Sequence, residues 1–452
     1  MTQADLILRN ASLPESPDSP RDVVVRDGRI LMITANHAGT AVREIDATGC
    51  IVAPGFIDAH VHLNEPGRAD WEGFQTGTHA LVAGGTTTFF DMPLNSSPPV
   101  LNAVELERKR TVARAKSRID FALWGGLVPG NADQIPGMAK HGAIGIKAFL
   151  CDSGLSDFPE TDTETLREAA KICAQVGIVL ALHAESPAEL RRVAEALGSA
   201  GGTSWRDYAA TRPESVEVAA VQSALEIAAE TGCRLHIVHV SAPAAVDLIH
   251  EARGRGVDAT CETCPHYLLL DESAMETRGA LAKCAPPLRP PATRERLWQL
   301  LAQGRIHTIG SDHSPAPPDA KTGSDFFKIW GGISGCQHSM TLFWQAALER
   351  GFGVSHLAEL TSTATARRFG IPNKGRIAVG ADADIVLLRP TEPRPIRESD
   401  LFTRHRISPY IGRLATLEVH TVLLRGRVAF QSGTDSGPTA GLEVAHAFSN
   451  TP

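Results

Sequence analysis

Two histidines stand two residues apart at the end of an apolar run in the segment "GFIDAHVHLNEPGR", residues 55–68. If this run is a β-strand, His60 and His62 point to the same side, because side chains two residues apart share a face. Neutral imidazoles bind zinc and similar divalent ions well. The pair alone is a weak signal, since 17 histidines in 452 residues give about 0.6 such pairs by chance.

Four further residues suited to a metal site stand near the ends of other short apolar runs, namely Lys147, His183, His239 and Asp312. If these runs are parallel strands of one barrel, their carboxyl ends meet at one rim. Four imidazoles, a carboxylate and a lysine would then converge there. This arrangement predicts a site for two divalent metal ions, with zinc preferred and cobalt, manganese or iron left open.

The elements that must position these residues form a repeated pattern of short strand and helix. Segments with helical spacing, such as "AVELERKRTVARAK" and "TETLREAAKICAQV", separate several strand candidates. The eight strand candidates are "FIDAHVHL", "TTTFFDMP", "DFALWGGL", "AIGIKAFL", "IVLALHAE", "RLHIVHVS", "DATCETCPH" and "HTIGSDHS". The pattern predicts an α/β fold, a (β/α)8 TIM-type barrel. A doubly wound open sheet is less favoured, because no strand leads into a glycine-rich phosphate loop.

Both ends of the chain are rich in short β-strand patterns. "DVVVRDGRILMI" near the start and "HTVLLRGRVAFQSG" near the end each show two strand-like runs around a turn. We therefore expect residues 1–54 and 372–431 to form one small β-sandwich domain beside a barrel of residues 55–371. Residues 432–452 are small and polar, and we expect a flexible tail there.

The overall composition excludes several classes of partner. A net charge of −7 without a basic stripe argues against nucleic acid and anionic membrane surfaces. The longest apolar runs are too short to cross a bilayer, and the first residues do not have the pattern of a signal peptide. Eight cysteines dispersed over a long chain then predict reduced thiols in a cytoplasmic globular protein, a class in which enzymes are the most common.

Several other residues of similar chemistry have simpler explanations. His236 lies on the strand face opposite to the proposed ligand, which favours a structural role. His266 fits packing, or a contact behind the ligands, better than ligation. Cys261 and Cys264 form a single C-x-x-C without the second pair that zinc sites use. His313 and its neighbour Asp312 face opposite ways in a strand, so that only one of them can enter the barrel.

The combination of D-x-H-x-H, a lysine in strand four, two further histidines and an aspartate after strand eight resembles the amidohydrolase superfamily, in its cyclic amidohydrolase branch. The resemblance covers nearly the whole chain, including a β-domain split between the termini. It implies two ligand groups: His60, His62 and Asp312 for one ion, and His183 and His239 for the other.

The resemblance also assigns chemistry to two of these residues. Lys147 would be carboxylated by carbon dioxide and would bridge the two ions as an anion, where an ammonium would be repelled. Asp312 would be the catalytic residue that takes a proton from the attacking hydroxide and returns it to the leaving nitrogen. A homotetramer is the assembly that the resemblance implies.

Within that branch, "HVHLNEPGRADWEGF", "DMPLNSSPPV", "ETCPHYLLLD" and "WGGISGCQHSM" are similar to the allantoinases. Dihydroorotases have an arginine where this chain has Asn64, and hydantoinases and dihydropyrimidinases have a tyrosine where it has Asp152. The resemblance thus implies hydrolysis of the cyclic amide of allantoin to allantoate. A hydantoinase or dihydropyrimidinase acting on other cyclic ureides is the alternative. A non-enzymatic scaffold is less favoured, because all six site residues are present.

By the same resemblance, two loops would hold the polar edge of the substrate through their backbone groups. The predicted backbone contacts are Cys284 and Ala285 in "KCAPPLR" and Gly332 and Ile333 in "GGISG". Asn64 and Ser153, which lie outside these loops, are the other predicted substrate contacts. The segment 315–335, rich in proline and glycine, follows strand eight at the same rim. It is either a lid over the site or an ordinary surface loop.

Overall fold

A computed structural model describes residues 3–197, 202–434, 439–444 and 446. The strands are β1 Ala4–Leu13, β2 Ser16–Arg26, β3 Arg29–Thr34, β4 Ala41–Asp46, β5 Ile51–Pro54, β6 Phe56–Val61, β7 Thr86–Asp91, β8 Asp120–Leu123, β9 Gly125–Gly126, β10 Gly145–Phe149, β11 Val179–His183, β12 Arg234–Ile237, β13 Ala259–Thr263, β14 Thr308–Ile309, β15 Ile385–Pro395, β16 Leu414–Leu424 and β17 Arg427–Gln431.

Helices follow most of the strands between β6 and β14, and three more lie between β14 and β15. They are α1 Phe74–Ala83, α2 Ala103–Lys116, α3 Ile135–Lys140, α4 Thr163–Val176, α5 Pro187–Leu197, α6 Trp205–Ala210, α7 Glu214–Thr231, α8 Pro243–Gly254, α9 Pro265–Leu269, α10 Ser273–Thr277, α11 Pro291–Ala302, α12 Cys336–Glu349, α13 Val354–Ala358 and α14 Ala364–Arg368. Local sequence sets their ends. In α4, Asp162 caps the first turn by accepting from Thr165 N, and Gly177 ends the helix in the left-handed region.

The middle of the chain is a closed parallel barrel, which confirms the predicted fold class. Strands β6 to β8 pair in order, and so do β9 to β14. Strands β8 and β9 are two parts of one barrel strand, interrupted at Trp124, so eight strand positions result. The barrel closes just past β14, where His62 N donates to His313 O at 2.8 Å. The bridge between Val61 and His313 lies at the same place.

The strands of the two termini share one sheet, in the order β17-β16-β15-β5-β1-β2-β3, with β4 also paired to β1. This β-sandwich domain has its own buried core, which includes Leu8, Val23, Val52 and Leu387. The turn between β2 and β3 has positive φ at both Asp27 and Gly28, as a tight hairpin turn requires. The predicted domain limits at residues 54 and 371 stay predictions.

The prediction of a flexible tail over 432–452 is wrong for residues 439–444 and 446. Val444 is buried, and its N–H donates to Phe121 O at 2.9 Å, while Phe121 N donates to Leu442 O at 3.0 Å. Glu443 accepts from Arg110 Nε at 2.7 Å. Apolar and charged side chains hidden among small polar residues thus attach this segment to the barrel. Residues 435–438, 445 and 447–452 lie outside the described residues.

A buried ion cluster joins the two domains. Lys374 Nζ donates to Asp384 at 2.5 Å and to Asp120 at 2.7 Å. Arg425 pairs with Asp120 as well, and its backbone N–H donates to Asp384 at 2.7 Å. Because Asp120 begins β8 and Asp384 immediately precedes β15, these bonds connect the barrel directly to the sandwich. In the part of the chain that the structure describes, none of the helices could span a membrane.

Candidate metal centre

The structure brings all six predicted ligands to the carboxyl ends of barrel strands, which we call the rim. Each of them is at least nine-tenths buried. They lie in or just after strands β6, β10, β11, β12 and β14, in the order His60, His62, Lys147, His183, His239 and Asp312. A strand approaches the rim along the barrel wall, so side chains at its end point towards a common centre.

The first ligand group is compact. His60 Nε2 lies 3.2 Å from Asp312 Oδ1, and His62 Nε2 lies 3.5 Å from the same oxygen. The donor atoms of these three residues lie within 4.8 Å of one another. Two imidazoles and one carboxylate at this separation form a donor set that suits zinc and other divalent transition metals.

The second ligand group consists of two imidazoles whose nitrogens face each other. His183 Nδ1 lies 2.9 Å from His239 Nε2, and the two rings are nearly perpendicular. The His239 ring is 5.4 Å from the ring of His60, so the two groups are neighbours. Two converging ring nitrogens and an adjacent three-residue group fit a pair of ions better than a single one.

The backbone adopts an uncommon conformation where three residues enter the site. The φ angles of His239, Asp312 and Asn64 are 40°, 45° and 64°. Residues other than glycine seldom adopt positive φ, and such positions concentrate at functional sites. At His239 and Asp312 the chain leaves β12 and β14, and the turn directs each side chain into the barrel.

Two buried glutamates orient the histidines. His60 Nδ1 lies 2.9 Å from Glu262, and His183 Nε2 lies 2.8 Å from Glu185, which also pairs with Arg212 at 2.6 Å. A carboxylate that accepts a hydrogen bond from the N–H of one ring nitrogen leaves the lone pair of the other nitrogen for a metal. The free nitrogens, His60 Nε2 and His183 Nδ1, are those that face the two ligand groups. Neither glutamate is among the site residues predicted from the sequence.

Lys147 is buried without any ordinary partner. Its side chain is fully enclosed in β10, and its Nζ has no hydrogen-bond partner among the described residues. The amine lies 4.5 Å from the ring centre of Phe149. Burial lowers the pKa of Lys147 to about 8. A fully buried amine without an acceptor is costly in a folded protein, and a further bonding partner at Nζ would relieve this cost.

The ionisation of the first group suits metal binding. Burial lowers the pKa of His62 to about 4, which keeps its imidazole neutral. Burial alone would raise the pKa of Asp312, but His60, His62 and His239 outweigh it and hold that pKa well below its usual range. Neutral imidazoles and an ionised carboxylate are the forms that bind metal ions.

The histidines and cysteines for which the sequence favoured a structural role lie at different distances from the two ligand groups. His236 is buried and bonds to Thr260 Oγ1 at 2.8 Å. Cys261 and Cys264 are free and buried. His313 lies 3.8 Å from Glu72 and takes no part in either ligand group. A ring nitrogen of His266 lies within 4.8 Å of both Cys264 Sγ and an Asp312 oxygen, so His266 and Cys264 both lie beside the first ligand group.

The two loops predicted to hold the substrate meet beside the centre. Gly332 N donates to Lys283 O at 2.8 Å, which joins "GGISG" to "KCAPPLR". Tyr208 Oη donates to Cys284 O at 2.9 Å, and Tyr267 Oη donates to Pro286 O at 2.6 Å. Two of the chain's three tyrosines thus fix the loop of Cys284 and Ala285.

Asn64 and Ser153 differ in whether their side-chain polar atoms already form hydrogen bonds within the protein. Asn64 Nδ2 donates to Pro315 O at 3.2 Å, while its Oδ1 is buried without a partner among the described residues. Ser153 Oγ instead donates to Phe158 O at 2.6 Å within its own loop. Asp152 is exposed and accepts from the backbone of Gly154, so it does not replace the tyrosine of the hydantoinases.

Segment 315–335 packs over the rim. Trp330 contacts Trp71 edge to face at 4.8 Å, and Lys321 Nζ donates to Trp330 O at 3.0 Å and also to Gly332 O. Ile333 O accepts from Ser314 N at 3.0 Å, which ties the end of the segment to the residues after Asp312. The segment is therefore fixed at one end beside the residues that follow Asp312.

The fold and the site together define a class of enzyme. A barrel with histidines after its first, fifth and sixth strands, a buried lysine in the fourth and an aspartate after the eighth is the arrangement of a metal-dependent hydrolase. The sequence profile of the Amidohydrolase family matches residues 51–429. The chain belongs to this family.

Comparison with individual proteins shows which amidohydrolases this chain is similar to. Allantoinase from Deinococcus radiodurans is 47% identical over 440 residues, which cover 97% of this chain and 98% of that protein. Allantoinase from Rubrobacter xylanophilus is 46% identical over 440 residues, with 97% of each chain covered. Among solved structures, L-hydantoinase (dihydropyrimidinase) from Arthrobacter aurescens superposes with a TM-score of 0.94 at 32% identity, covering 98% of this chain and 100% of that one. Within the amidohydrolases, the chain groups with the allantoinases.

Proposed function

We propose that this protein opens the hydantoin ring of allantoin by hydrolysing its cyclic amide bond, which gives allantoate. The observation that carries the proposal is the convergence of two oriented ligand groups and a buried lysine on one rim. The similarity to allantoinases over nearly the full chain supports the choice of substrate.

Two divalent ions fit the donors present, zinc being our first choice. His60, His62 and Asp312 would hold one ion, and His183 and His239 the other. Lys147 would bridge them after its neutral amine attacks carbon dioxide, which forms an N–C bond and releases a proton. The unpartnered Nζ and its lowered pKa support this step. When bound, such ions activate water near neutral pH and polarise a carbonyl oxygen.

The protein's own residues would then position the substrate and move the proton. Asp312 is ionised at neutral pH, so its carboxylate can accept a proton from the attacking water. From the same position it can return that proton to the ring nitrogen as the amide C–N bond breaks. Glu262 and Glu185 would hold the imidazoles of His60 and His183 in fixed tautomers throughout the cycle.

The substrate would lie between the centre and the two joined loops. Backbone groups of Cys284, Ala285, Gly332 and Ile333 would bind the polar edge of the ring. The unpartnered Oδ1 of Asn64 would accept a hydrogen bond from a substrate N–H. Ser153 is the weakest of the predicted contacts, because its hydroxyl already bonds within its own loop.

The second candidate activity is hydrolysis of hydantoins or dihydropyrimidines. The structural similarity to L-hydantoinase supports the same chemistry on a related ring. The two candidates differ in the side chain five residues after the buried lysine, which here is the exposed Asp152.

The experiment is a turnover assay with protein loaded in turn with zinc, cobalt, manganese or iron in the presence of bicarbonate. The substrates are (R)- and (S)-allantoin, hydantoin, dihydrouracil and dihydroorotate. We expect allantoin to be the best substrate and Asp312→Asn to abolish its turnover. The exposed Asp133→Asn is the matched control and should keep full activity. Preference for hydantoin or dihydrouracil would contradict the substrate assignment.

We further propose that the protein acts in the cytoplasm as a homotetramer. This proposal rests on the family resemblance and on the eight free cysteines, which are typical of a reducing compartment. Light scattering after size-exclusion chromatography gives the mass in solution. A mass of one or two chains would contradict the tetramer.

A further inference from the structure

A cavity lined by several charged side chains lies at the opposite end of the barrel from the metal centre. It has a volume of about 360 Å³ and lies where strands β12, β13 and β14 begin. Its wall includes Arg234 at the start of β12, Thr260 in β13 and Thr308 at the start of β14. The proposed ligands His239 and Asp312 follow the other ends of β12 and β14, so the proposed reaction does not use this cavity.

The cavity wall carries an excess of positive charge. Among the described residues that line it, four are arginines and two are acids: Arg234, Arg253, Arg367, Arg368, Asp258 and Glu359. The two imidazoles in the wall, His307 and His356, add no negative charge. Two positive charges are therefore left without a matching carboxylate in the wall.

The pairing within the wall leaves the excess in place. Asp258 is shared between two guanidinium groups, since it pairs with Arg368 and lies 3.3 Å from Arg234 Nε. Arg367 pairs with Glu359 while its side chain stays largely exposed. Arg253 donates to a backbone carbonyl, that of Ala259. A guanidinium bonded to a carbonyl keeps its full charge.

Two groups beside the cavity respond to this positive potential. The pKa of His307 is lowered to about 3, mainly by burial and in addition by the charges of Arg253 and Arg368. Burial also lowers the pKa of Arg368, and although Asp258 opposes the shift, Arg234 and Arg253 add to it. Cations thus destabilise one another here, and a bound anion would relieve their repulsion.

The helical segment behind the cavity is irregular. Residues Glu359–Thr363 form a π-helix between α13 and α14, and Glu359 and Leu360 line the cavity. Such widened turns are rare and occur frequently at functional sites. Here the π-helix lies between the side chains of His356 and Arg367, which both face the same cavity.

We propose that this cavity binds a small anion, either a phosphate or a carboxylate metabolite, at a site separate from the metal centre. Guanidinium groups bind the paired oxygens of both anions through two parallel hydrogen bonds. A volume of this size is at the lower end of the range for small-molecule sites. The proposal does not depend on the substrate assigned to the metal centre.

The test is calorimetric titration of the metal-loaded protein with inorganic phosphate and, separately, with malonate, at constant ionic strength. We expect saturable binding of at least one anion. Arg253→Gln and Arg367→Gln each remove one exposed guanidinium from the wall, and each should weaken binding about tenfold. Both variants should keep the turnover of the parent protein, which also shows that they fold.

Arg108→Gln is the matched control, because Arg108 is an exposed, ion-paired arginine on α2 outside the cavity. Its affinity for either anion should equal that of the parent. Equal affinity in all three variants would overturn the proposal and would place the anion elsewhere, for example at the metal centre. Absence of saturable binding would also overturn it, and the arginines would then serve only to hold the barrel end together.

Discussion

Two buried charged clusters in this protein are built on opposite principles. In the cluster around Lys374, the amine donates to Asp120 and Asp384, and both carboxylates accept further hydrogen bonds. At the metal centre, Lys147 Nζ and His239 Nδ1 have no partner among the described residues. Complete pairing is typical of groups that hold a fold together, while unpaired buried groups mark sites where something else binds.

The same substitution at the two lysines gives the sharpest contrast. Lys147→Met should reduce allantoin turnover at least about 1,000-fold, because the proposed bridging ligand is lost. The free energy of unfolding of the metal-free protein should stay equal or rise, since an unpartnered buried amine is replaced by an apolar chain of similar size. Steady-state kinetics and urea unfolding measure both quantities. A clear loss of stability would mean that Lys147 has a structural role.

Lys374→Met should do the reverse. Removing the amine leaves Asp120 and Asp384 buried close together, which should cost about 3–5 kcal/mol of unfolding free energy. The turnover number per folded molecule should stay near that of the parent, because the cluster does not contact the rim. Lys171→Met, at an exposed lysine on α4, is the control and should change stability by less than about 0.5 kcal/mol. A large fall in turnover of folded Lys374→Met would break the comparison.

Glu262→Gln tests whether metal binding at the centre depends on the buried carboxylate that bonds to a ligand histidine. Losing the carboxylate that orients His60 should weaken metal binding about 10–100-fold. Competition with a chromophoric chelator gives the affinity without any activity measurement. Glu226→Gln, on the exposed face of α7, should bind metal as the parent does. Unchanged affinity in Glu262→Gln would show that the His60 tautomer is fixed by other means.

Glu443→Gln should give the smallest effect. The Glu443 carboxylate pairs with Arg110 and Arg114 at the edge of the barrel and is partly screened by solvent. Its loss should reduce the free energy of unfolding by about 1 kcal/mol, with unchanged turnover. Limited proteolysis should then cleave the C-terminal segment faster. If neither the free energy of unfolding nor the cleavage rate changes, the ion pairs of Glu443 do not hold this segment on the barrel.

The barrel and the convergence of the six candidate ligands on one rim could be predicted because each depends on local periodicity. Alternation along "FIDAHVHL" places His60 and His62 on one face, and the rhythm of strands and helices places the other ligands at strand ends. The boundaries of α2 and α4 match the helical segments quoted from the sequence.

The parts that could not be predicted depend on contacts between distant residues. Glu262 lies within the C-x-x-C motif of Cys261 and Cys264, which is the more obvious signal in the sequence. Its partner His60 is 202 positions away. The docking of residues 439–444 depends on an ion pair between Glu443 and Arg110, which are 333 positions apart. Nothing in the local composition of "PTAGLEVAHA" distinguishes a docked segment from a loose one.

The short eighth barrel strand has a consequence for how the protein matures. Strand β14 has only two residues, and the barrel closes beyond it through His62 and His313. The first ligand group therefore spans the closing seam, with its histidines on one side and Asp312 on the other. A chain emerging from the ribosome presents the histidines long before the aspartate. If the proposed ligands hold an ion, its site is complete only after the last strand has docked, and metal loading would then follow closure of the barrel.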